Sequence, residues 1–207
     1  ENPILINDER FSPAGVLAPS SKADLAFTMH MLSWLSPKGT AAIVEFPGVL
    51  YRGGAEQKIR KYMIDNNFVD TVIQLPSDLF FGTSIATCIL VLKKNKADNN
   101  ILFVDASEEF VRNTNKNKLS DTNINNIINL LKNRVLVENK AYLATYDEIK
   151  ENDYNISVNS YLKTNTIEVK IDIEEVNRKL AEIVPRQQQI RKELEEIIRK
   201  LESDYHE

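Results

Sequence analysis

The sequence predicts an α/β fold, a partial sheet of short buried strands joined by crossover helices and closed by an antiparallel hairpin, followed by a coiled-coil-like helical segment at the C-terminus. Three observations carry that expectation. Apolar runs of strand length alternate with helix-period segments from residue 23 to residue 104. The run 85–92 is almost continuously branched or apolar, as a strand covered on both faces requires. From Ile173 onward, apolar residues recur at alternating intervals of three and four.

The elements follow in order. Over residues 23–35, Leu25, Ala26, Met29 and Leu32 share one helical face, with Ser21 placed as a cap. Ser36-Pro37-Lys38-Gly39 breaks that helix, and 40–46 reads as a buried strand that Pro47-Gly48 ends. A helix over 55–66 turns Ile59, Tyr62 and Met63 inward and leads to a strand over 68–74. After the Pro76 turn, residues 80–84 form an aromatic loop ahead of the strand at 85–92. Residues 95–100 are an Asn- and Lys-rich turn, so the strand at 101–104 is expected to pair back as a hairpin at the sheet edge. The stretch 112–118 is polar and basic, Ile124, Ile127, Ile128 and Leu131 mark an amphipathic helix, and the chain to 163 reads as short elements and turns.

In the last segment the seam runs through Ile173, Val176, Leu180, Ile183, Gln187, Ile190, Leu194, Ile197 and Leu201. Gln187 is its polar member, a residue type that fixes register at a cost in stability. Pro185 removes a backbone donor, so a kink or two segments meeting near Val184 are expected. A stripe of this length needs cover, from this domain or from a partner helix. The expected divisions are 1–110 for the sheet, 111–170 for a mixed extension and 171–207 for the heptad segment.

Bulk properties narrow the function. The 207 residues are 43% apolar, enough for one good core. With 26 basic against 30 acidic residues there is no global basic field, so any affinity for DNA must be local or come from a partner. One cysteine, Cys88, excludes an internal disulfide framework and suits a reducing cytoplasm, and two histidines offer almost no ligands for a zinc-type metal. No apolar run approaches the length of a membrane span, so a soluble cytoplasmic protein with no membrane partner is expected.

Phosphate-cradling glycine motifs and a nucleophile elbow are both missing from the sequence. Gly53-Gly54 ahead of a helix is either a tight connection or a pair of exposed amides. Asp24, Glu45, Asp70 and Asp78 lie near predicted element ends, where the sites of open α/β sheets gather. Glu45 stands out, because it interrupts an apolar run just where the strand ends and must face a crevice or solvent. Phe80 and Phe81, two aromatics in one turn, are either core or a stacking platform of the kind base-extruding enzymes use.

Three blocks in the same order tie these features together: Lys22-Ala23-Asp24-Leu25-Ala26-Phe27, then Val49-Leu50-Tyr51-Arg52-Gly53-Gly54-Ala55-Glu56, then Leu79-Phe80-Phe81-Gly82-Thr83-Ser84-Ile85-Ala86-Thr87-Cys88-Ile89-Leu90. They resemble the modification subunit of type I restriction-modification systems, and further matches at 103–107, 117–120 and 151–155 extend the resemblance over nearly the whole chain. The resemblance implies a Rossmann-like sheet and transfer of a methyl group from S-adenosylmethionine to the exocyclic amine of adenine in double-stranded DNA. It implies that Phe27, with Asp24 and Lys22 nearby, lines the cofactor's adenine pocket, that Phe81 or Phe80 stacks on the extruded base, and that Gly82 and Thr83 shape that loop. It also implies docking of the heptad residues Val176 to Leu201 on the helices of a specificity subunit, within a complex that includes a restriction subunit.

Arg112, Lys116 and Lys118 either touch DNA phosphates or form a solvated loop. One departure matters: the family's Asn or Asp followed by Pro-Pro and an aromatic is not present, since Asn2-Pro3-Ile4-Leu5 differs at its third and fourth positions. The chain is therefore expected to be the family's second half, inactive alone. The alternative is an assembly and DNA-binding module without chemistry.

Overall fold

Crossover geometry decides the sheet. In the computed structural model, which describes residues 3–162 and 173–204, β1 (Thr40–Glu45) leads through α2 (Ala55–Asp65) to β2 (Val69–Gln74). A helical crossover returns the chain parallel to its start. Here β1 and β2 run parallel one place apart, and β3 (Cys88–Lys93) fills the gap antiparallel to both, with Ile43 opposite Leu90 and Ile73 opposite Ile89. β4 (Ile101–Asp105) lies on the far side of β2, parallel to it, and the five-stranded order is β1-β3-β2-β4-β7, where β7 is Ala141–Ala144.

The expected hairpin between the strands at 85–92 and 101–104 is therefore corrected. β3 and β4 are separated by β2, and the antiparallel partner of β4 is β7, from a region the sequence showed as unassigned short elements and turns. The connection is stitched across the end of β2: the Lys96 ammonium donates to Val69 O at 2.5 Å and to Asn100 O at 2.9 Å. A pattern of apolar residues reports that a strand is buried but not which neighbour buries it. β3 also begins three residues later than expected, because Ile85 still belongs to the loop, with its amide donating to Thr83 Oγ1 at 3.1 Å. Ser21 does not cap α1 (Asp24–Trp34); the residue before it is Ala23, with no side-chain cap.

Alternation along the strands gives the sheet two covered faces. Ile101 and Phe103 of β4 join Leu25, Met29 and Leu32 of α1 and Ile59 and Met63 of α2 on one side. Leu102 and Val104 face the other, with Ile73 and Ile127. Ile127 belongs to α3 (Asp121–Asn133), which starts at a capping box in which Ser120 and Asn123 each bond the other's backbone. Its neighbours Ile124 and Ile128 remain partly exposed, so only part of the expected stripe is inward.

The basic stretch before α3 is a two-stranded ribbon, β5 (Val111–Asn113) with β6 (Lys116–Lys118). The chain divides into two compact units, 1–165 and 166–207. The expected break at 110/111 falls within the first, because β7, which leads into the short helix α4 (Tyr146–Glu151), pairs with β4, and α3 packs on β4.

A buried arginine ties the sheet unit together. Arg60 of α2 is 1% exposed. Its guanidinium donates to Tyr154 O at 3.0 Å, Val49 O at 2.9 Å and Arg52 O at 2.7 Å. Burial lowers its pKa to about 10, with Glu56 opposing the shift, so it stays charged at neutral pH. Removing it strands the carbonyls of Tyr154 and Val49 in buried positions and that of Arg52 in a part-buried one. Arg60→Ala is expected to cost about 3 kcal/mol in urea unfolding of this chain, and a loss below about 0.5 kcal/mol would contradict that role.

The second unit carries α5 (Ile173–Asp204), one helix with Pro185 inside it, where two segments were expected. A proline deletes one ladder donor, here toward the carbonyl of Ala181, and the remaining bonds of the helix continue past it. Leu180, Ile183, Ile190, Leu194 and Ile197 are each at least half exposed, and Gln187 is exposed with them. The side chains of Val176 and Leu201 lie outside the described residues. No described helix is long and apolar enough to cross a membrane.

Candidate functional site

The carboxyl end of β1 and the start of β3 meet in register, Glu45 opposite Cys88. Open α/β sheets place their sites in the crevice outside such strand ends. A hollow of about 320 Å³ opens there, between the end of β1 and the loop that precedes β3. Phe80, Phe81 and Thr83 line one wall, and Asp24, Glu45 and Thr87 the other. The structure thus brings together the aromatic loop and the carboxylate that the sequence marked as anomalous.

Phe81 is 97% exposed and Phe80 41%. Neither ring belongs to the core, which removes that reading for Phe81. Gly82 has φ of 77°, a conformation that favours glycine, and a Cβ there would meet no atom within 4 Å. Its contribution to the loop is the turn itself.

Glu45 is buried at 5% exposure. Thr28 Oγ1, one turn after Asp24 on α1, donates to Glu45 Oε1 at 2.7 Å. Burial pushes the Glu45 carboxyl up, the Thr28 bond pulls it back, and the nearby Asp24 charge adds to the rise. Thr87 Oγ1, also buried, has no hydrogen-bond partner. The Cys88 thiol lies 3.5 Å from Glu45 O and is pushed up to about 12, mainly by burial, so it is not a nucleophile at neutral pH.

A carboxyl raised on folding contributes stability that is full below its unfolded pKa and lost as pH rises through the folded value. Glu45→Gln, which keeps an acceptor for Thr28, is therefore expected to raise the unfolding temperature at pH 7 and to leave it unchanged near pH 4. An equal gain at both pH values would show that ionisation of Glu45 is not what costs stability.

The other expected site residues are more dispersed. Phe27 is 66% exposed and lines a different hollow, of about 470 Å³, beside Phe11 and His30. Asp24, three residues earlier on the same helix, opens toward the Phe80–Phe81 crevice instead. Lys22 is exposed ahead of α1. Arg112 and Lys116 turn toward Asp78, each 3.7 Å from its carboxylate, while Lys118 is exposed. Sequence reasoning missed Thr28, Thr87 and Asn117. Thr28 had a readable signal, lying one helical turn from Asp24.

A five-stranded α/β sheet with an exposed aromatic loop at its strand tips defines a class, and comparison with known proteins places the chain within it. Residues 1–170 match the N-6 DNA methylase family, and the chain belongs to that family. It is 48% identical over 202 residues to the type I restriction enzyme MpnII methylase subunit of Mycoplasma pneumoniae, covering 97% of this chain and 37% of the relative. With the MjaVII methylase subunit of Methanocaldococcus jannaschii it shares 31% identity over 204 residues, 96% of this chain and 34% of the relative. The crystal structure of a type I restriction-modification methyltransferase subunit from Streptococcus thermophilus superposes with a TM-score of 0.77 at 44% identity, covering 78% of this chain and 35% of that one. The chain spans about a third of the length of these relatives.

Proposed function

We propose that the whole protein is the modification subunit of a type I restriction-modification complex, a site-specific DNA adenine N6-methyltransferase. Residues 1–165 contribute one wall of its base pocket, and α5 contributes its assembly helix. The observation that carries this reading is the Phe81 ring, 97% exposed at the mouth of a crevice at the strand tips. A solvent-facing aromatic at such a place is costly unless something stacks on it, and an enzyme that works on a base must extrude that base and repay the lost stacking. Among the described residues β1 is paired on one side only, and this open edge supports a Rossmann-like sheet that continues with strands from elsewhere in the polypeptide.

S-adenosylmethionine is the methyl donor this reading requires. The open face of Phe27 fits a purine ring, so the hollow it lines is assigned to the donor, with Lys22 exposed ahead of the same helix. Asp24 borders the neighbouring Phe80–Phe81 crevice, where its carboxylate suits a hydroxyl or amine. The donor supplies an activated methyl group when bound. Phe80 and Phe81 hold the target base in place, and Thr83 and Gly82 set the shape of the loop that carries them. Of the three basic groups considered for DNA phosphates, Arg112 and Lys116 are engaged with Asp78, so the exposed Lys118 is the one left to that role. A specificity subunit pairs with α5, and a restriction subunit completes the assembly.

The direct test uses the full-length subunit with its DNA-reading partner, duplex DNA and labelled S-adenosylmethionine. Label recovered as N6-methyladenine at a defined sequence is the expected result. An assembled, DNA-bound complex that transfers no methyl group would leave an assembly module without chemistry.

A further inference from the structure

We propose that the β5–β6 ribbon is a positioning brace for the aromatic loop, with Lys116 and Asn117 gripping its backbone on both sides of Phe80 and Phe81. The proposal rests on the base-stacking reading given above and names what keeps the stacking ring in place.

An exposed ring needs a rigid backbone beneath it, or it loses more entropy on binding than stacking returns. The segment 75–87 joins the antiparallel neighbours β2 and β3, and is far longer than the two to five residues common in such loops. None of residues 77–86 is buried, and Leu79 is the one that packs against the core, so packing alone does not fix the segment. Hydrogen bonds from the ribbon do. The Asn117 amide N–H donates to Asp78 O at 3.0 Å, and its side-chain Nδ2 donates to Ser77 O at 2.9 Å, both on the incoming limb. Lys116 Nζ donates to Thr83 O at 2.9 Å on the outgoing limb. The two phenylalanines lie between these anchors.

The brace is itself held. Arg112 Nη1 donates to Asn117 Oδ1 at 3.0 Å, which turns the amide so that its nitrogen faces Ser77. The Asp78 carboxylate sits 3.7 Å from both Arg112 Nη1 and Lys116 Nζ, drawing the two cations onto the loop. Asn117 is only 7% exposed. The backbone turns into left-handed conformations at Asp78, with φ of 56°, and at Gly82, with φ of 77°, one on each side of the aromatic pair. Gly82 adopts this conformation without strain, whereas at Asp78 it carries a cost that the surrounding bonds must offset. The cationic groups of Arg112 and Lys116 are thus both directed at the loop, although Arg112 stays exposed.

The experiment uses the full-length subunit assembled with its DNA-reading partner. Methyl transfer is measured on an adenine duplex, and base extrusion on the same duplex with 2-aminopurine, which brightens when unstacked, at the target position. Lys116→Met and Asn117→Asp are each expected to lower kcat and the 2-aminopurine signal by about tenfold, with duplex affinity and its salt dependence unchanged. Lys116→Arg, which retains a cationic donor, is expected to restore both. Three results overturn the proposal. Lys116→Met that weakens duplex binding, reduces the salt slope by about one and spares kcat marks a phosphate contact. A uniform loss of folded protein that arginine does not rescue marks a purely structural role. Normal signal and rate in both Phe80→Ala and Phe81→Ala would remove the base-stacking reading itself, and the brace with it.

Discussion

Phe81→Ala in the full-length subunit is expected to reduce methyl transfer to duplex DNA by about ten- to a hundredfold while leaving S-adenosylmethionine affinity unchanged. The size follows from stacking of one base on one ring, worth about 1–3 kcal/mol, and a tenfold change corresponds to about 1.4 kcal/mol. Specificity of the effect follows from position. At 97% exposure the ring supports no core, so its removal leaves folding intact, and it faces a different hollow from Phe27. Phe80 is the internal comparison: its ring is 41% exposed on the same crevice wall. Full activity in Phe81→Ala combined with loss in Phe80→Ala would transfer the stacking role to Phe80. Losses that track cofactor affinity in either variant would show that the crevice serves the methyl donor and not the base.

The contrast between these residues and the rest of the site shows what a sequence exposes. Phe80 and Phe81 were legible because two aromatics in a turn conflict with the local rule that large apolar groups go inside. Glu45 was legible for the same reason, a charge ending an apolar strand. Helices α1 and α2 and strands β1 and β2 could be read because their periodicity and their breakers, Ser36-Pro37-Lys38-Gly39 and Pro47-Gly48, are local signals.

What could not be read is non-local. The insertion of β3 between β1 and β2 depends on which edges remain free after the crossover, and β7 is four residues long, too short to announce a period. The polar run of β5 and β6 carries no apolar alternation, since its strands pair with each other and grip a loop by hydrogen bonds instead of covering a core. Arg60 was invisible as a tie because its three acceptors are backbone carbonyls from two segments far apart in sequence, 49–52 and 154.

Deleting residues 171–207 from the full-length subunit is expected to abolish stable association with the specificity partner. The cause is unburied apolar area. On α5 the side chains of Leu180, Ile183, Ile190, Leu194 and Ile197 are each at least half exposed and recur at heptad-like intervals, so their apolar faces have no cover among the described residues of this unit. A stripe of this kind is the pattern that drives helices together, with its polar member, Gln187, selecting the register in which they meet. The residues flanking the stripe are charged, including Arg191, whose guanidinium lies 3.9 Å from Glu195 one turn on, which keeps an isolated helix in solution while leaving the seam available. Gln187→Leu separates seam pairing from simple truncation. Removing the polar residue should hold or raise affinity while admitting shifted registers or extra copies, seen as altered mass in solution. Co-purification of the truncated subunit with its partner at unchanged stoichiometry would exclude α5 as the docking helix.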